Sequence, residues 1–327
     1  MATGWRPSGL SEEEVEDGEA YHRALYHDGD IDNPTDWHKN SVKRLIDLSI
    51  PHIVDGSLIV DYGSGTGGSA IELLKVLDQR GIGVELVLVD PLVSWFGKAR
   101  ELLGKREGLH FELSISSDSS GRTSFRSLEE ILDGRKADLI ISSSTMHLIP
   151  AKTMASLADQ IANSLKPGGF FIWDSGDLEC EFRPTDSARL HDPYRAVREM
   201  LKEDELRESS LSSFTQEEIE REEKRLDRIF PPPLPIGEVL EALRKAGFSS
   251  EISDMVIDFS NIDAERFIMV PRLSEIAWPL KGKEREEAIR RVLKSALIRI
   301  QEQGMGDEYC YRSHWVYGKH SLANGKL

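Results

Sequence analysis

The chain has 327 residues, with 41 basic and 57 acidic side chains and a formal net charge of −16 at neutral pH. This acidic balance argues against a nucleic-acid partner, because nucleic-acid-binding surfaces are usually basic enough to neutralise phosphates. The sequence has no run of about 18 apolar residues, so neither a transmembrane helix nor a membrane partner is expected.

The remaining composition fits a globular protein in a reducing compartment. Hydrophobic residues make up 39% of the chain, which is enough for a substantial core. Cys180 and Cys310 are too few for a disulfide framework, and no apolar signal region opens the sequence. We therefore expect a cytoplasmic protein.

The N-terminal part divides into two segments. Residues 1–17 are acidic and poor in apolar side chains, which predicts a disordered tail. Residues 18–56 are rich in aromatic and histidine side chains, and their apolar residues have helical spacing. We predict an N-terminal helical lid there, with Tyr21, Tyr26 and Trp37 in a substrate pocket. Packing of the same aromatic side against the main domain is the alternative.

A glycine-rich turn joins an apolar strand over 57–61 to a helix pattern that starts near residue 68. Gly63, Gly65 and Gly67 fit the spacing G-x-G-x-G, while Gly63, Gly65 and Gly68 fit the dinucleotide pattern G-x-G-x-x-G. Glycine lets the backbone approach a ligand closely, and a helix N-terminus offers free N–H groups. The turn therefore predicts a nucleotide-like ligand, with a tight turn that binds nothing as the alternative.

The following elements alternate between strands and helices. The second strand, near 84–90, ends at Asp90, where either glycine pattern expects an acid for the ribose hydroxyls. A buried strand over 137–142 ends in small polar residues, and a helix over 151–165 stops at a Lys-Pro-Gly-Gly step before the strand over 169–174. Such alternation predicts a mainly parallel sheet covered on both faces.

This order of motifs resembles the class I S-adenosylmethionine-dependent methyltransferases over about residues 40–175 and the final strand. The resemblance implies an α/β, Rossmann-like, doubly wound and mainly parallel seven-stranded sheet with an antiparallel last strand. It implies S-adenosyl-L-methionine as cofactor and S-adenosyl-L-homocysteine as product. The cofactor-binding residues that it implies are Asp61, Gly63, Ser64, Gly65, Gly67, Asp90, Ser117, Asp118, Ser142 and Ser143. A dehydrogenase would need its own acid–base pair, and the sequence shows no clear one.

Two segments exceed what such a core requires. We assign residues 57–175, 235–258 and 309–320 to the core. Residues 176–234 and 259–308 are predicted to be helical insertions, which together with the N-terminal segment form a cap over the cofactor. Because function depends on the site and not on the fold alone, the cap is expected to set substrate choice.

Methyl transfer from a sulfonium is a direct displacement, so the protein mainly aligns the two reactants. A base is needed only when the acceptor carries a proton, and His147, just after the fourth strand, is the first candidate. A histidine that only packs beneath the cofactor is the alternative. Asp174 and Asp177 follow the fifth strand and are further pocket candidates. The spacing of His and Cys residues predicts no metal site.

The sequence thus predicts a methyltransferase that acts on a small, partly apolar molecule in a capped pocket. A protein or RNA methyltransferase is one alternative, and a cofactor-bound enzyme of this fold that does not methylate is another. Monomeric and homodimeric states both remain open.

Overall fold

A computed structural model describes residues 11–26, 36–104, 106–117 and 123–323. Its strands are β1 Ser57–Tyr62, β2 Val84–Asp90, β3 Leu109–Leu113, β4 Ile115–Ser117, β5 Thr123–Phe125, β6 Ala137–Ser142, β7 Leu165–Ser175, β8 Leu178–Glu179, β9 Leu234–Pro235, β10 Phe248–Ser260 and β11 Cys310–Leu322. Seven of them form the main sheet, while β4 with β5 and β8 with β9 make two small ladders.

The main sheet has the strand order β10-β11-β7-β6-β1-β2-β3. β3, β2, β1, β6 and β7 run parallel to one another, whereas β11 runs antiparallel to both of its neighbours, β7 and β10. This confirms the predicted seven-stranded sheet with an antiparallel last strand. The strand order reverses between β1 and β6, and such a switch point opens a crevice beyond the carboxyl ends of the strands.

The central strands are apolar because both of their faces are covered. Along β1, Ile59 packs into the core on one face of the sheet, whereas Leu58 and Val60 pack into the core on the other. Side chains alternate between faces along a strand, so a continuous apolar run is needed to fill both cores. The sequence 58–60 meets that requirement, which is why this strand could be predicted with confidence from its residues alone.

Helices cover both faces of the sheet and fill the two insertions. They are α1 Glu12–Leu25, α2 Trp37–Ser49, α3 Gly68–Arg80, α4 Val93–Leu103, α5 Leu128–Ile131, α6 Ala151–Ser164, α7 Asp192–Lys202, α8 Glu205–Leu211, α9 Gln216–Leu226, α10 Ile236–Lys245, α11 Asn261–Ile268, α12 Pro271–Ser274 and α13 Gly282–Glu302. In the part of the chain described, no helix is both long enough and apolar enough to cross a membrane.

The N-terminal segment and the insertions pack together. Helix α1 contacts α4 of the core and α11 and α12 of the second insertion, while α7 of the first insertion packs along α13 of the second. The prediction of a disordered tail is wrong for residues 12–17, which form the start of α1. A capping box between Ser11 and Glu14 satisfies the N-terminal N–H groups, and Asp17 is buried. Residues 1–10 lie outside the described part.

Candidate functional site

The glycine-rich turn leaves the N-terminus of α3 free of side-chain caps. Gly63, Gly65 and Gly67 have φ angles of 75°, 53° and 83°, in the left-handed region that favours glycine. Gly67 is the N-cap of α3 and supplies no side chain for capping. The first N–H groups of the helix therefore lie open beside the turn, as a nucleotide-like ligand requires.

Asp90 holds this turn from the end of the neighbouring strand. Its Oδ2 accepts a hydrogen bond of 2.8 Å from the Gly65 N–H, and its Oδ1 accepts one of 2.7 Å from the Leu92 N–H. Burial raises the pKa of Asp90 to about 6, although both backbone bonds and the charge of Arg272 act in the opposite direction. At neutral pH the group is therefore mostly ionised and can accept further hydrogen bonds.

Asp61 is fully buried at the end of β1. Its Oδ2 accepts a hydrogen bond of 2.7 Å from the Ser69 hydroxyl, while its Oδ1 has no hydrogen-bond partner among the described residues. Burial raises the pKa of this carboxyl to about 7, the Ser69 hydroxyl lowers it, and the charge of Asp90 raises it further. A buried oxygen without a donor is costly, so it fits a site that a cationic or N–H-bearing ligand group completes.

A cavity of about 690 Å³ extends from the turn to the cap. Small-molecule pockets typically have volumes of roughly 300–1,000 Å³. The predicted residues that line it are Gly63, Ser64, Gly65, Asp90, Ser143, His147, Tyr21 and Trp37. The predicted residues that the structure describes but that do not line it are Asp61, Gly67, Ser117, Ser142, Tyr26, Asp174 and Asp177. Asp118 lies outside the described residues.

Several of the residues that do not line the cavity support its wall from behind. The Tyr26 hydroxyl donates a hydrogen bond of 2.8 Å to the Gly68 carbonyl, and the Ser142 hydroxyl donates one of 2.7 Å to the Tyr62 carbonyl. Asp174 accepts hydrogen bonds from the Ser143 hydroxyl and the Ser144 N–H. Burial raises the pKa of Asp174 to about 7 despite these donors.

The third strand ends earlier than the sequence pattern indicates. β3 stops at Leu113, Ser114 lines the cavity, and the chain then turns into the β4–β5 hairpin, where Ser117 pairs with Thr123. A short polar stretch in which several serines follow a strand gives no local signal for which of them marks the strand end. Ser114, and not the predicted Ser117, therefore follows the carboxyl end of β3 and lines the cavity.

Helix α1 lies over the glycine turn. The Tyr21 ring stacks on Trp95 of α4, with 3.9 Å between ring centroids, and both rings lie next to Gly65. Asp17 fixes this arrangement, because its carboxylate accepts hydrogen bonds of 3.0 Å from Trp95 Nε1 and 3.0 Å from the Arg272 N–H. One carboxylate thus joins α1 to the core and to the second insertion, as a lid would require.

Substitution of Asp17 by Asn should loosen α1 without unfolding the sheet. The amide offers only one acceptor oxygen for two N–H donors, and losing a hydrogen bond to a charged group costs about 1.5–3 kcal/mol. We expect hydrogen exchange in peptides covering 12–25 to accelerate by roughly 10- to 100-fold, while exchange in β1 and β6 is unchanged. Glu16→Gln, at an exposed position on the same helix, is the control. Unchanged exchange in Asp17→Asn would show that this carboxylate does not hold the lid.

Two histidines and a carboxylate meet on the cap side of the cavity. His147, Asp177 and His191 are buried, with potential ligand atoms within 4.8 Å of one another. The ring Nδ1 of His191 lies 3.0 Å from Asp177 Oδ2 but outside hydrogen-bond geometry. The backbone N–H of His191 donates a hydrogen bond of 3.1 Å to Asp177 Oδ1. The Arg195 guanidinium also contacts Asp177 Oδ2. A metal ion here would compete with that guanidinium, so the cluster is better suited to proton chemistry.

The charges around this cluster keep its members in different protonation states. Burial lowers the pKa of His147 to about 3, helped by His191 and Arg195, so His147 is neutral at physiological pH. Its Nδ1 lies 2.9 Å from the Ser175 hydroxyl. Burial alone would raise the pKa of Asp177, but His191 and Arg195 outweigh it and hold that pKa well below its usual range.

Several residues that line the cavity could not be identified from the sequence. His191 lies at the start of α7, Trp95 in α4, Arg228 after α9 and Arg272 in α12, and all four line the cavity. None belongs to a motif with characteristic spacing. Only the tertiary packing of the insertions and the lid brings them to the cavity.

No protein-family model matches the sequence, and no curated protein matches it either. Solved structures do resemble this protein. Phosphoethanolamine N-methyltransferase 2 from Haemonchus contortus, in complex with phosphomonomethylethanolamine and S-adenosylhomocysteine, is 15% identical with a TM-score of 0.50. That match covers 96% of this chain but 61% of the other, so the chain corresponds to only part of that protein.

Two further structures cover nearly all of their own chains. One is a candidate sarcosine dimethylglycine methyltransferase from Galdieria sulphuraria, with 12% identity, a TM-score of 0.52 and coverage of 96% of this chain and 99% of that chain. The other is a candidate methyltransferase from Bacillus halodurans, with 14% identity, a TM-score of 0.50 and coverage of 86% and 99%. Together with the sheet order, these similarities show that the chain has the fold of the class I S-adenosylmethionine-dependent methyltransferases.

Proposed function

We propose that the protein is an S-adenosylmethionine-dependent methyltransferase that acts on a small, partly apolar molecule. The observation that carries this proposal is one continuous cavity, which is lined by Gly65 and Asp90 of the core and by Phe230 and Phe267 of the insertions. The strand order also supports it. An antiparallel strand between β7 and β10 differs from the order 3-2-1-4-5-6 of dinucleotide-binding sheets.

The residues of the turn suit this cofactor. The open N–H groups of the turn and the Asp90 carboxylate would hold the nucleoside, with Asp90 on the ribose hydroxyls. Asp61 lies behind the cavity wall, so its carboxyl would act on the methionine part through its charge and not by direct contact. The bound cofactor supplies an activated methyl group on a sulfonium, so the chain itself needs to orient the acceptor and exclude water.

The walls of the cavity favour a small acceptor over a macromolecule. Helix α1 covers the turn, and aromatic side chains of the insertions form the far wall. The Haemonchus protein contains phosphomonomethylethanolamine, a small molecule, in its complex. A protein or RNA substrate would need an open groove along the strand ends, where these helices lie.

For an acceptor that carries a proton, the histidine cluster is the proposed base. His147 lines the cavity but binds protons weakly, because burial lowers its pKa to about 3. An effective base has a pKa near the working pH. His191 also lines the cavity, and its Nδ1 lies 3.0 Å from Asp177 Oδ2. On this placement His191 is the proposed proton acceptor, with His147 as its neighbour.

Calorimetric titration with S-adenosylmethionine, S-adenosylhomocysteine and NAD tests the cofactor. We expect both sulfur compounds to bind at pH 8 and NAD not to bind. Asp90→Ala should weaken their binding by roughly 10- to 100-fold, the effect of losing a hydrogen bond to a charged group. Binding should also weaken as the pH falls through about 6, because protonated Asp90 is a poorer acceptor.

Asp159→Ala, at an exposed position on α6, is the matched control and should bind like the original protein. NAD binding that displaces S-adenosylhomocysteine would overturn the proposal.

The acceptor class is tested by incubating cell extract with a radioactive methyl donor. Label in solvent-extractable material supports a small acceptor, whereas label in protein or RNA contradicts it.

A further inference from the structure

The cavity is electrically polarised, although the chain as a whole is acidic. At the end formed by the glycine turn, the acidic lining residue is Asp90, with Asp61 buried behind the wall. At the end formed by the insertions, three arginines line the cavity, Arg225, Arg228 and Arg272, with one acid, Glu275. In a protein with a net charge of −16, a group of arginines at the rim of this cavity calls for an explanation.

The three arginines differ in how their charge is compensated. Arg225 is paired twice, with Glu222 at 2.7 Å and with Glu275, so its charge is neutralised. Neither Arg228 nor Arg272 has a carboxylate within 4.0 Å of its guanidinium among the residues of known placement. Two exposed arginines of the cavity lining thus have no carboxylate partner in the described part of the chain, and guanidinium matches carboxylate and phosphate geometry particularly well.

Apolar side chains line the cavity next to the arginines in sequence. Ile229 and Phe230 follow Arg228 directly, Leu273 follows Arg272, and Phe267 lies on α11, and all four line the cavity. The Phe230 and Phe267 rings surround His191, with centroid distances of 5.1 and 5.9 Å. The cavity therefore offers a ligand a carboxylate at the glycine turn, together with hydrocarbon and arginine side chains from the insertions.

We infer that the acceptor is an amphipathic anion, whose apolar body lies against Phe230 and Phe267 and whose carboxylate or phosphate is bound by Arg228 and Arg272. This inference rests on the proposed function for the position of the methyl group, but the anion site itself is defined by the cap. Binding by the arginines keeps the anionic end off the Asp90 carboxylate, which would repel it. The reacting end is thereby directed towards the methyl group.

The test compares octanoate, octyl phosphate and octanol, which share the same hydrocarbon chain, by calorimetry at pH 8 with and without saturating S-adenosylhomocysteine. We expect at least one of the two anions to bind about tenfold or more tighter than octanol, and the preferred anion identifies carboxylate or phosphate. Arg228→Gln and Arg272→Gln should each lower the affinity for that anion by about tenfold and leave the affinity for octanol unchanged. Arg299→Gln, which removes one charge at an exposed site on α13, should change neither.

Equal binding of octanol and both anions, or no binding of either anion, overturns the inference. Full anion affinity in both cavity variants overturns it as well, and so does an equal loss in Arg299→Gln, which would indicate a general effect of net charge. Thermal unfolding of each variant shows that the fold is intact. Failure of S-adenosylhomocysteine to bind rejects the proposed function instead, and the titrations without it still report on the anion site.

Discussion

Gly63→Ala should destabilise the protein by about 2–5 kcal/mol and abolish cofactor binding. A Cβ at this position would lie 2.2 Å from Thr145 Oγ1 and 2.8 Å from Thr145 Cβ, far inside contact distance. The φ angle of 75° adds strain of roughly 1–2 kcal/mol for a residue with a side chain. Overpacking typically costs about 1–3 kcal/mol more. Denaturant unfolding and calorimetry with S-adenosylhomocysteine measure the two effects.

Gly56→Ala separates backbone strain from the clash. Gly56 has a φ of 80°, but a Cβ there would meet no atom within 4 Å, so this variant should lose only about 1–2 kcal/mol and bind normally. A double-mutant cycle with Thr145→Gly isolates the steric part, because that change removes the atoms that the new Cβ would meet. If Gly63→Ala costs the same with and without the Thr145 side chain, the contact between the turn and Thr145 is not what demands glycine.

Asp61→Asn should have opposite effects on stability and on cofactor binding. The pKa of Asp61 is raised from 3.8 to about 7, so between these values the folded protein holds a proton that the unfolded chain has released. For this group, the free energy of unfolding therefore falls as the pH rises towards 7. The free energy of unfolding of the Asn variant does not show this fall. The variant's stability minus that of the original protein should therefore increase by about 2–3 kcal/mol from pH 5 to pH 8. Its cofactor affinity should fall.

Unfolding by denaturant at the two pH values measures this difference, in which the titrations of all other groups cancel. Ser69→Ala is the informative companion variant, because the Ser69 hydroxyl lowers the pKa of Asp61. Its removal should raise that pKa further, so that stability continues to fall to a higher pH. A stability difference between Asp61→Asn and the original protein that is independent of pH would mean that the Asp61 carboxyl does not titrate in this range.

The core could be predicted because its signals are local. The apolar run over 58–60, the positive φ angles at the turn and the acid that ends β2 depend on residues close in sequence. The disordered tail was predicted wrongly for the opposite reason. Glu12, Glu13 and Glu14 look solvated in the sequence, yet they form the first turn of a capped helix whose later residue Asp17 binds partners far along the chain.

The cap residues could not be predicted from the sequence. Arg228 and His191 lie in segments whose apolar residues are sparse, and no periodic pattern indicates which of their polar side chains face inward. Their roles arise from the packing of α7 along α13 and of α1 against α11 and α12. Other residues were predicted to line the pocket but lie behind its wall. They are Tyr26, Asp174 and Asp177, which are held there by hydrogen bonds and ion pairs.

Asp17 touches both ends of the cavity at once. Its partners are Trp95, beside the glycine turn, and the backbone of Arg272, at the arginine rim. Withdrawal of α1 therefore breaks both contacts in one event and opens both ends together. The spent cofactor and the modified acceptor would then leave through the same motion, so that turnover slows with solvent viscosity and the two products are released almost simultaneously rather than in a fixed order.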